Sequence, residues 1–157
     1  MIILGASAFL LVSYKGYGKI DDIITTITGI FGLMICAFPC WPSYQVPQPD
    51  LVGMFSIPKQ ISNTLHLASA IIFFVLLAYN SFFLFTKSGE TITKNKKIRN
   101  IIYRVCAVGM LASFALLLLP DFRIQIWLVE MIALTFFGIS WLTKADYYPW
   151  LFADKKE

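Results

Sequence analysis

The stretch ISNTLHLASAIIFFVLLAYNSFFLF, residues 61–85, decides the fold of this chain. It contains no Asp, Glu, Lys or Arg. A straight helix needs about 20 apolar residues to cross the hydrocarbon core of a bilayer, and this stretch exceeds that length. Since lipid offers the backbone no hydrogen-bonding partner, such a segment satisfies its own amide groups by forming a helix. The sequence therefore predicts a transmembrane helix over residues 61–85.

Four further apolar runs flank this stretch, at residues 2–13, 23–38, 101–119 and 124–142. The last two are long enough to span a bilayer, whereas 23–38 is near the limit. The first would form a helix of only about 20 Å, so we expect the chain to begin partway through a helix. The predicted fold class is all-α: a polytopic transmembrane helix bundle in a single integral-membrane domain, residues 1–157. We expect five spans in this chain, the first one short or truncated, and six in the full protein.

The composition supports a membrane protein. The chain is 58% hydrophobic and 14% charged, whereas a soluble domain has roughly 25% charged residues, so a water-soluble class is excluded. The net charge of +4 and the pI near 9.0 do not indicate a nucleic-acid partner here. In a membrane protein such an excess reflects the inside-positive bias and attraction to anionic lipid headgroups.

Basic residues fix the predicted orientation. The loop at residues 87–100 carries a single acid, Glu90, and a cluster of basic residues, which the positive-inside rule places in the cytoplasm. The C-terminal tail, residues 143–157, then also lies inside, and the loop at residues 39–60 lies outside. We therefore predict a multi-pass protein of the cell inner (plasma) membrane. The basic residues of the inner loop are Lys87, Lys94, Lys96, Lys97 and Arg99.

The outer loop, residues 39–60, is the longest non-helical stretch that we predict. Its prolines exclude a continuous helix, and apolar side chains such as Trp41 and Phe55 are too frequent for a freely solvated linker. We expect the loop to pack over the outer face of the bundle. Two roles remain open for it: a lid above a cavity, or an ordered cap at the membrane interface.

Small residues share one face of the second helix and predict a seam where another helix approaches closely. A small pair on the fourth helix, Gly109 and Ser113, predicts similar close packing. The residues of the second-helix seam are Thr25, Thr28, Gly29, Gly32 and Cys36.

Polar side chains within the apolar runs are the candidate binding residues. His66, the only histidine, shares a face of the third helix with Ser69 and Asn80. Glu130 lies about 10 Å along the fifth helix, where a carboxylate is costly unless it is paired or protonated. Trp127 lies on the same face as Glu130. Arg104 lies near the inner end of the fourth helix, from which its side chain can reach the headgroups.

His66 and Glu130 lie on helices of the same direction and at similar predicted depth. We predict that they meet directly or through one water, which would favour the charged form of each group. Arg123, above Glu130 on the same helix face, is the rival partner. Two roles remain open for the pair: a polar contact that fixes helix register, or a headgroup-binding or proton-handling site open to the outer leaflet.

Metal and redox chemistry have little support. A zinc site needs several converging ligands, and one histidine cannot supply them, so no metal or other cofactor is predicted. Cys36 and Cys40 lie at the outer end of the second helix, where they could form a disulfide. Redox enzymes use a closer spacing, usually with a second cysteine pair, so the cysteines do not predict catalysis.

Several segments resemble a group of uncharacterised bacterial membrane proteins, similar in organisation to the Frag1/DRAM/Sfk1-like multispanning proteins. The resemblance implies about six helices and no agreed activity, although eukaryotic proteins of this organisation are tied to lipid handling. It would single out His66, Arg104 and Glu130. The segments that carry it are SYKGY (13–17), FP (38–39), LHLASAIIFF (65–74), YRVC (103–106), WLVE (127–130) and GISWL (138–142).

Three functions remain open from the sequence. The first is non-enzymatic binding of a lipid or small amphiphile in an outer-leaflet cavity lined by His66, Ser69, Trp127 and Glu130. The second is a membrane enzyme that acts on lipid with His66 and Glu130 as an acid–base pair. The third is a structural or pore-forming subunit that assembles as a homo-oligomer or with another membrane protein. Membrane lipids are the expected partners.

Overall fold

The computed structural model describes residues 2–16, 18–41, 49–87, 93–116 and 126–145. Within them it contains five α-helices, one β-hairpin and a π-helical segment. The chain divides into two compact units, Met1–Leu76 and Leu77–Glu157, which we describe separately.

The first unit begins with two helices, α1 (Ile2–Ser13) and α2 (Lys19–Ala37), joined by a short turn. The carboxylate of Asp22, in the first turn of α2, accepts a hydrogen bond from the backbone N–H of Gly16 at 2.6 Å. A negative charge at this position also suits the positive end of the helix dipole. The turn and the start of α2 are therefore tied together.

Glycines allow α1 and α2 to approach closely. A Cβ added to Gly29 would lie 2.5 Å from the carbonyl oxygen of Ala8, and one added to Gly32 would lie 2.8 Å from the Ala8 Cβ. Thr25 and Thr28 are buried beside them, and each hydroxyl donates to a carbonyl of its own helix. These contacts confirm the predicted packing seam on α2.

The predicted outer loop, residues 39–60, contains a β-hairpin. Strands β1 (Leu51–Val52) and β2 (Ile57–Pro58) pair antiparallel, and the turn between them includes Gly53 at φ 77°. A positive φ costs glycine little because it has no Cβ. Helix α3 (Lys59–Tyr79) follows β2 directly. The described part of the predicted loop thus contains an ordered hairpin, and its residues 42–48 lie outside the described chain. The last two residues of the predicted loop, Lys59 and Gln60, are helical because α3 begins at Lys59.

The second unit contains the end of the third helical segment and two further helices. A π-helix, Asn80–Leu84, continues α3, and it is followed by α4 (Lys94–Ala115) and α5 (Ile126–Lys144). A Cβ on Gly109 would lie 2.7 Å from the Phe136 ring, so α4 and α5 pack closely at this glycine, as predicted. The ring of Phe85 meets those of Tyr103 and Trp141 edge-on, with centroids 5.7 Å apart in both pairs.

The all-α fold class is confirmed in its coarse form. In the part of the chain that the structure describes, four helices are long and apolar enough to cross a membrane: Lys19–Ala37, Lys59–Leu84, Lys94–Ala115 and Trp127–Lys144. α1 is apolar but shorter than these, as predicted. The predicted helix ends at 117–119 and 124–125 and the tail beyond 145 lie outside the described residues.

Helix α4 begins seven residues before its predicted start at 101. The side chain of Thr93 caps it by accepting a hydrogen bond from the backbone N–H of Lys96 at 3.2 Å. Lysine and arginine are good helix formers, so the basic segment extends the helix instead of ending it. The residues from Lys94 to Asn100, which we expected in a loop, are therefore helical.

Candidate functional site

Two polar side chains near the start of α3 hold the backbone that leaves α2. The Nδ1 atom of His66 lies 2.9 Å from the carbonyl oxygen of Phe38. Since a carbonyl only accepts, Nδ1 carries the proton in this contact. The hydroxyl of Ser62 donates to the next carbonyl, that of Pro39, at 2.8 Å.

A third side chain binds the same backbone on both of its edges. The Asn63 oxygen accepts from the backbone N–H of Trp41 at 2.8 Å, and the Asn63 amide donates to the Trp41 carbonyl at 3.2 Å. The side-chain amide therefore pairs with Trp41 as a neighbouring strand would. We refer to Ser62, Asn63 and His66 together as the α3 clamp.

The α3 clamp provides hydrogen-bond donors for backbone carbonyls at the end of α2. The last carbonyls of a helix have no partner within the helix. Pro39 has no N–H, so the chain cannot continue the helical hydrogen-bond pattern at this point. His66 and Ser62 supply donors to the carbonyls of Phe38 and Pro39. Because buried backbone groups without partners are costly, the α3 clamp stabilises this chain reversal.

The hairpin rests on the segment that the α3 clamp holds. A Cβ added to Gly53 would lie 2.8 Å from the Pro39 ring, so only glycine fits this contact without a shift. The rings of Phe38 and Phe55 are tilted against each other, with centroids 5.6 Å apart. The turn nevertheless exposes 79% of Met54 and 59% of Phe55. The result is a well-supported hairpin with an exposed apolar tip.

The other predicted residues of the first unit are mostly buried. His66 is 4% exposed and Ser69 is 2% exposed, so neither presents an open surface to a ligand. Cys36 and Cys40 are half-buried and carry thiols in this structure, so no disulfide joins them here. Their oxidation in the membrane protein stays a prediction.

In the second unit, polar groups gather around the π-helix. Asn80 and Ser81 are fully buried, and Ser140 of α5 donates to the Ser81 hydroxyl at 3.0 Å. π-helical segments are often associated with function, because the extra residue in the turn changes which groups face a neighbouring helix. Asn80, a predicted binding residue, therefore lies in a buried polar region, next to the Ser81 hydroxyl that bonds to α5.

Lys96 is a residue that sequence reasoning missed. It is 9% exposed, and its ammonium group donates to the Phe85 carbonyl at 3.0 Å, just beyond the π-helix. The same group lies 5.5 Å from the centre of the Tyr103 ring. The helical period contained the signal, because Lys96 shares a face of α4 with the buried residues Tyr103 and Met110. Lys96 falls within the predicted loop at residues 87–100, where no helical period is expected.

Arg104, Trp127 and Glu130 are more accessible than the predicted residues of the first unit. Arg104 is exposed, with its guanidinium 5.6 Å from the centre of the Phe82 ring. Trp127 is 56% exposed near the start of α5, and Glu130 is half-buried one turn later. His66 and Glu130 belong to different units, and their contact stays a prediction. Arg123 lies outside the described residues.

The described residues contain no candidate metal site. Among them, no three His, Cys, Asp or Glu side chains are grouped so that they could hold an ion. The chemistry that the arrangement does offer is hydrogen bonding to backbone by the α3 clamp, apolar contact at the hairpin tip, and positive charge along α4.

Comparison of the chain with protein-family models, with curated proteins and with solved structures finds no match. The resemblance to the Frag1/DRAM/Sfk1-like proteins therefore stays a prediction.

Proposed function

We propose that this chain is a non-enzymatic integral membrane protein that binds a lipid or small amphiphile beside the hairpin of its first unit. The observation that carries the proposal is the hairpin tip, where Met54 and Phe55 are exposed although the strands beneath them are firmly held. Exposed apolar side chains on an ordered support are typical of a surface that contacts lipid or another apolar partner. In the predicted orientation this tip lies at the outer leaflet.

The way the hairpin is anchored supports binding without large rearrangement. The backbone N–H of Lys59 donates to the Asp50 carbonyl at 3.1 Å and closes the base of the hairpin. Gly53 rests against Pro39, which the α3 clamp holds through Ser62. A ligand that meets a preformed apolar tip loses less free energy to ordering than one that must fold the loop.

The contacts of His66 favour binding over catalysis. A general acid or base must reach the reacting group. His66 is buried, and its Nδ1 atom is engaged by a backbone carbonyl at the end of α2. This task is structural, so it gives no support to the alternative of an acid–base enzyme that uses His66 and Glu130.

Native mass spectrometry of the full chain, released from mild detergent, tests the proposal. We expect the wild-type chain to retain a lipid or amphiphile, and the Met54→Ser, Phe55→Ser double variant to retain fewer bound molecules than the wild-type chain. The double variant removes the apolar tip and leaves Gly53 and the α3 clamp unchanged. A matched control is Ile20→Ser, which removes a side chain that is 70% exposed at the far end of α2.

The control should retain the bound mass at the wild-type level. Equal retention by the double variant and the wild-type chain would contradict binding at the hairpin. A wild-type spectrum that contains only lipid-free multimers would contradict the proposal in favour of an assembly subunit.

A further inference from the structure

One face of α4 is exposed along its whole length and changes character along it. It begins with Lys94 and Lys97, both exposed. It continues with apolar side chains that are about half exposed or more, namely Ile101 at 61%, Val105 at 58%, Val108 at 59% and Leu111 at 48%. The opposite face carries the buried residues of the helix, among them Tyr103, Cys106 and Met110. A basic start followed by an apolar stripe matches the order of headgroup and acyl chain in one leaflet.

Arg104 interrupts the apolar stripe. Arg104 follows Lys97 by seven positions, so the two lie on nearly the same side of the helix, about 10 Å apart along its axis. Ile101 lies between them, and Val105 and Val108 follow. A guanidinium on a lipid-facing surface is costly unless it reaches the interface or meets a counter-charge. Because Cα–Cβ bonds in a helix tilt toward its N-terminus, the Arg104 side chain starts in the direction of Lys97.

The π-helix helps to place the guanidinium. Phe82 lies within the π-helical segment, and the Arg104 guanidinium is 5.6 Å from the centre of its ring. An aromatic face stabilises a cation but does not neutralise it. The planar group keeps its edge donors for a further partner, and a phosphate accepts two of them at once.

No counter-charge comes from α4 itself. The helix contains five basic residues, Lys94, Lys96, Lys97, Arg99 and Arg104, and no Asp or Glu. Within the described residues, the recorded contact of the Arg104 guanidinium is with the Phe82 ring. Within the described residues, this face of α4 therefore carries positive charge and supplies no acid of its own.

We propose that Lys97 and Arg104 form a binding site for the phosphate of an anionic phospholipid, with its acyl chains along Ile101, Val105 and Val108. The charge selects an anionic headgroup, because a choline group would add a further cation beside two others. The apolar stripe selects a lipid over free phosphate, because it continues for two turns beyond Arg104. In the predicted orientation the site lies in the inner leaflet, so it is distinct from the proposed outer site at the hairpin.

Lipid titration followed by native mass spectrometry tests this proposal on the full chain in detergent. The probes are phosphatidylglycerol, phosphatidylcholine and inorganic phosphate. We expect phosphatidylglycerol to bind several-fold more tightly than phosphatidylcholine, and millimolar inorganic phosphate not to displace it. Lys97→Gln and Arg104→Gln should each weaken phosphatidylglycerol binding by roughly fivefold, as expected for one basic residue at an anionic headgroup.

Arg99→Gln is the matched control, because it removes the same charge from the same helix about 160° away from Lys97. It should leave phosphatidylglycerol affinity within twofold of the wild-type value. Equal losses in Arg99→Gln and Arg104→Gln would mean that net charge alone attracts the lipid, which would overturn the proposal. So would equal affinity for the two phospholipids. Lys97 is exposed and lies outside the apolar stripe, so Lys97→Gln should fold normally. Its effect on phosphatidylglycerol binding tests the proposal even if Arg104→Gln fails to fold.

Discussion

At the scale of single residues, His66 is the clearest example of a polar side chain with a structural task. The sequence indicated that the only histidine, in an apolar helix, needs a polar partner. The structure supplies a backbone carbonyl, that of Phe38. Since every residue carries a carbonyl, the sequence offers no signal for such a partner, whereas a carboxylate such as Glu130 is visible in it. This difference explains why sequence reasoning favoured Glu130.

Replacing His66 should therefore reduce stability. In His66→Ala the Phe38 carbonyl loses its donor in a buried site, which costs about 1–3 kcal/mol. His66→Gln should recover part of this loss, because its amide can still donate. Thermal unfolding in detergent, followed by circular dichroism, measures the difference.

The control for His66 is Thr64→Ala. Thr64 is an exposed residue of the same helical turn, and its hydroxyl donates only to the Gln60 carbonyl of its own helix. The melting temperature of the Thr64→Ala variant should stay close to that of the wild-type chain. If His66→Ala melts no earlier than Thr64→Ala, the clamp role of His66 is wrong.

At the scale of helices, apolar runs and small residues predicted most of what is observed. Predominantly apolar runs located the middle of every described helix, and the small face of α2 located its contact with α1. Boundaries were less predictable where charge and helical structure coincide. The segment from Lys94 to Asn100 is basic, as an inner loop is, and its lysines and its arginine are also good helix formers. Thr93 caps this segment, which is therefore helical. The hairpin was missed because a pair of two-residue strands leaves little alternating pattern to detect.

The close packing of α1 against α2 predicts that one added methyl group at Gly29 lowers the stability of the protein. In Gly29→Ala the new Cβ would meet the Ala8 carbonyl oxygen, which belongs to backbone and cannot rotate away. We expect a loss of about 1–3 kcal/mol in stability, as for other overpacked contacts. Thermal unfolding of the purified variant checks it.

The matched control lies in α5. Apart from its chain neighbours and the backbone of its own helix, a Cβ on Gly138 meets no heavy atom within 4 Å. Gly138→Ala should therefore be neutral, or stabilising by up to about 1 kcal/mol, because alanine is the better helix former. Equal destabilisation by the two substitutions would show that helix conformation, and not the seam, explains the need for Gly29.

At the scale of the whole molecule, α3 and the π-helix together form one candidate membrane-crossing segment. Lys59–Leu84 has 26 residues, which reach about 39 Å at 1.5 Å per residue and exceed a hydrocarbon core of about 30 Å. The hairpin precedes this segment and the basic start of α4 follows it. If the segment crosses the membrane, we expect the hairpin tip and Lys94 on opposite sides, and the positive charge of α4 predicts that Lys94 lies inside.

Single-cysteine labelling measures this arrangement directly. Met54→Cys and Lys94→Cys would each be made in a chain whose three natural cysteines, Cys36, Cys40 and Cys106, are replaced by serine or alanine. Both positions are exposed, so access to the reagent depends on the membrane. With a membrane-impermeant maleimide on intact cells, we predict labelling at position 54, and labelling at position 94 only after the cells are permeabilised. Labelling of both positions in intact cells, or of position 94 alone, would contradict the account.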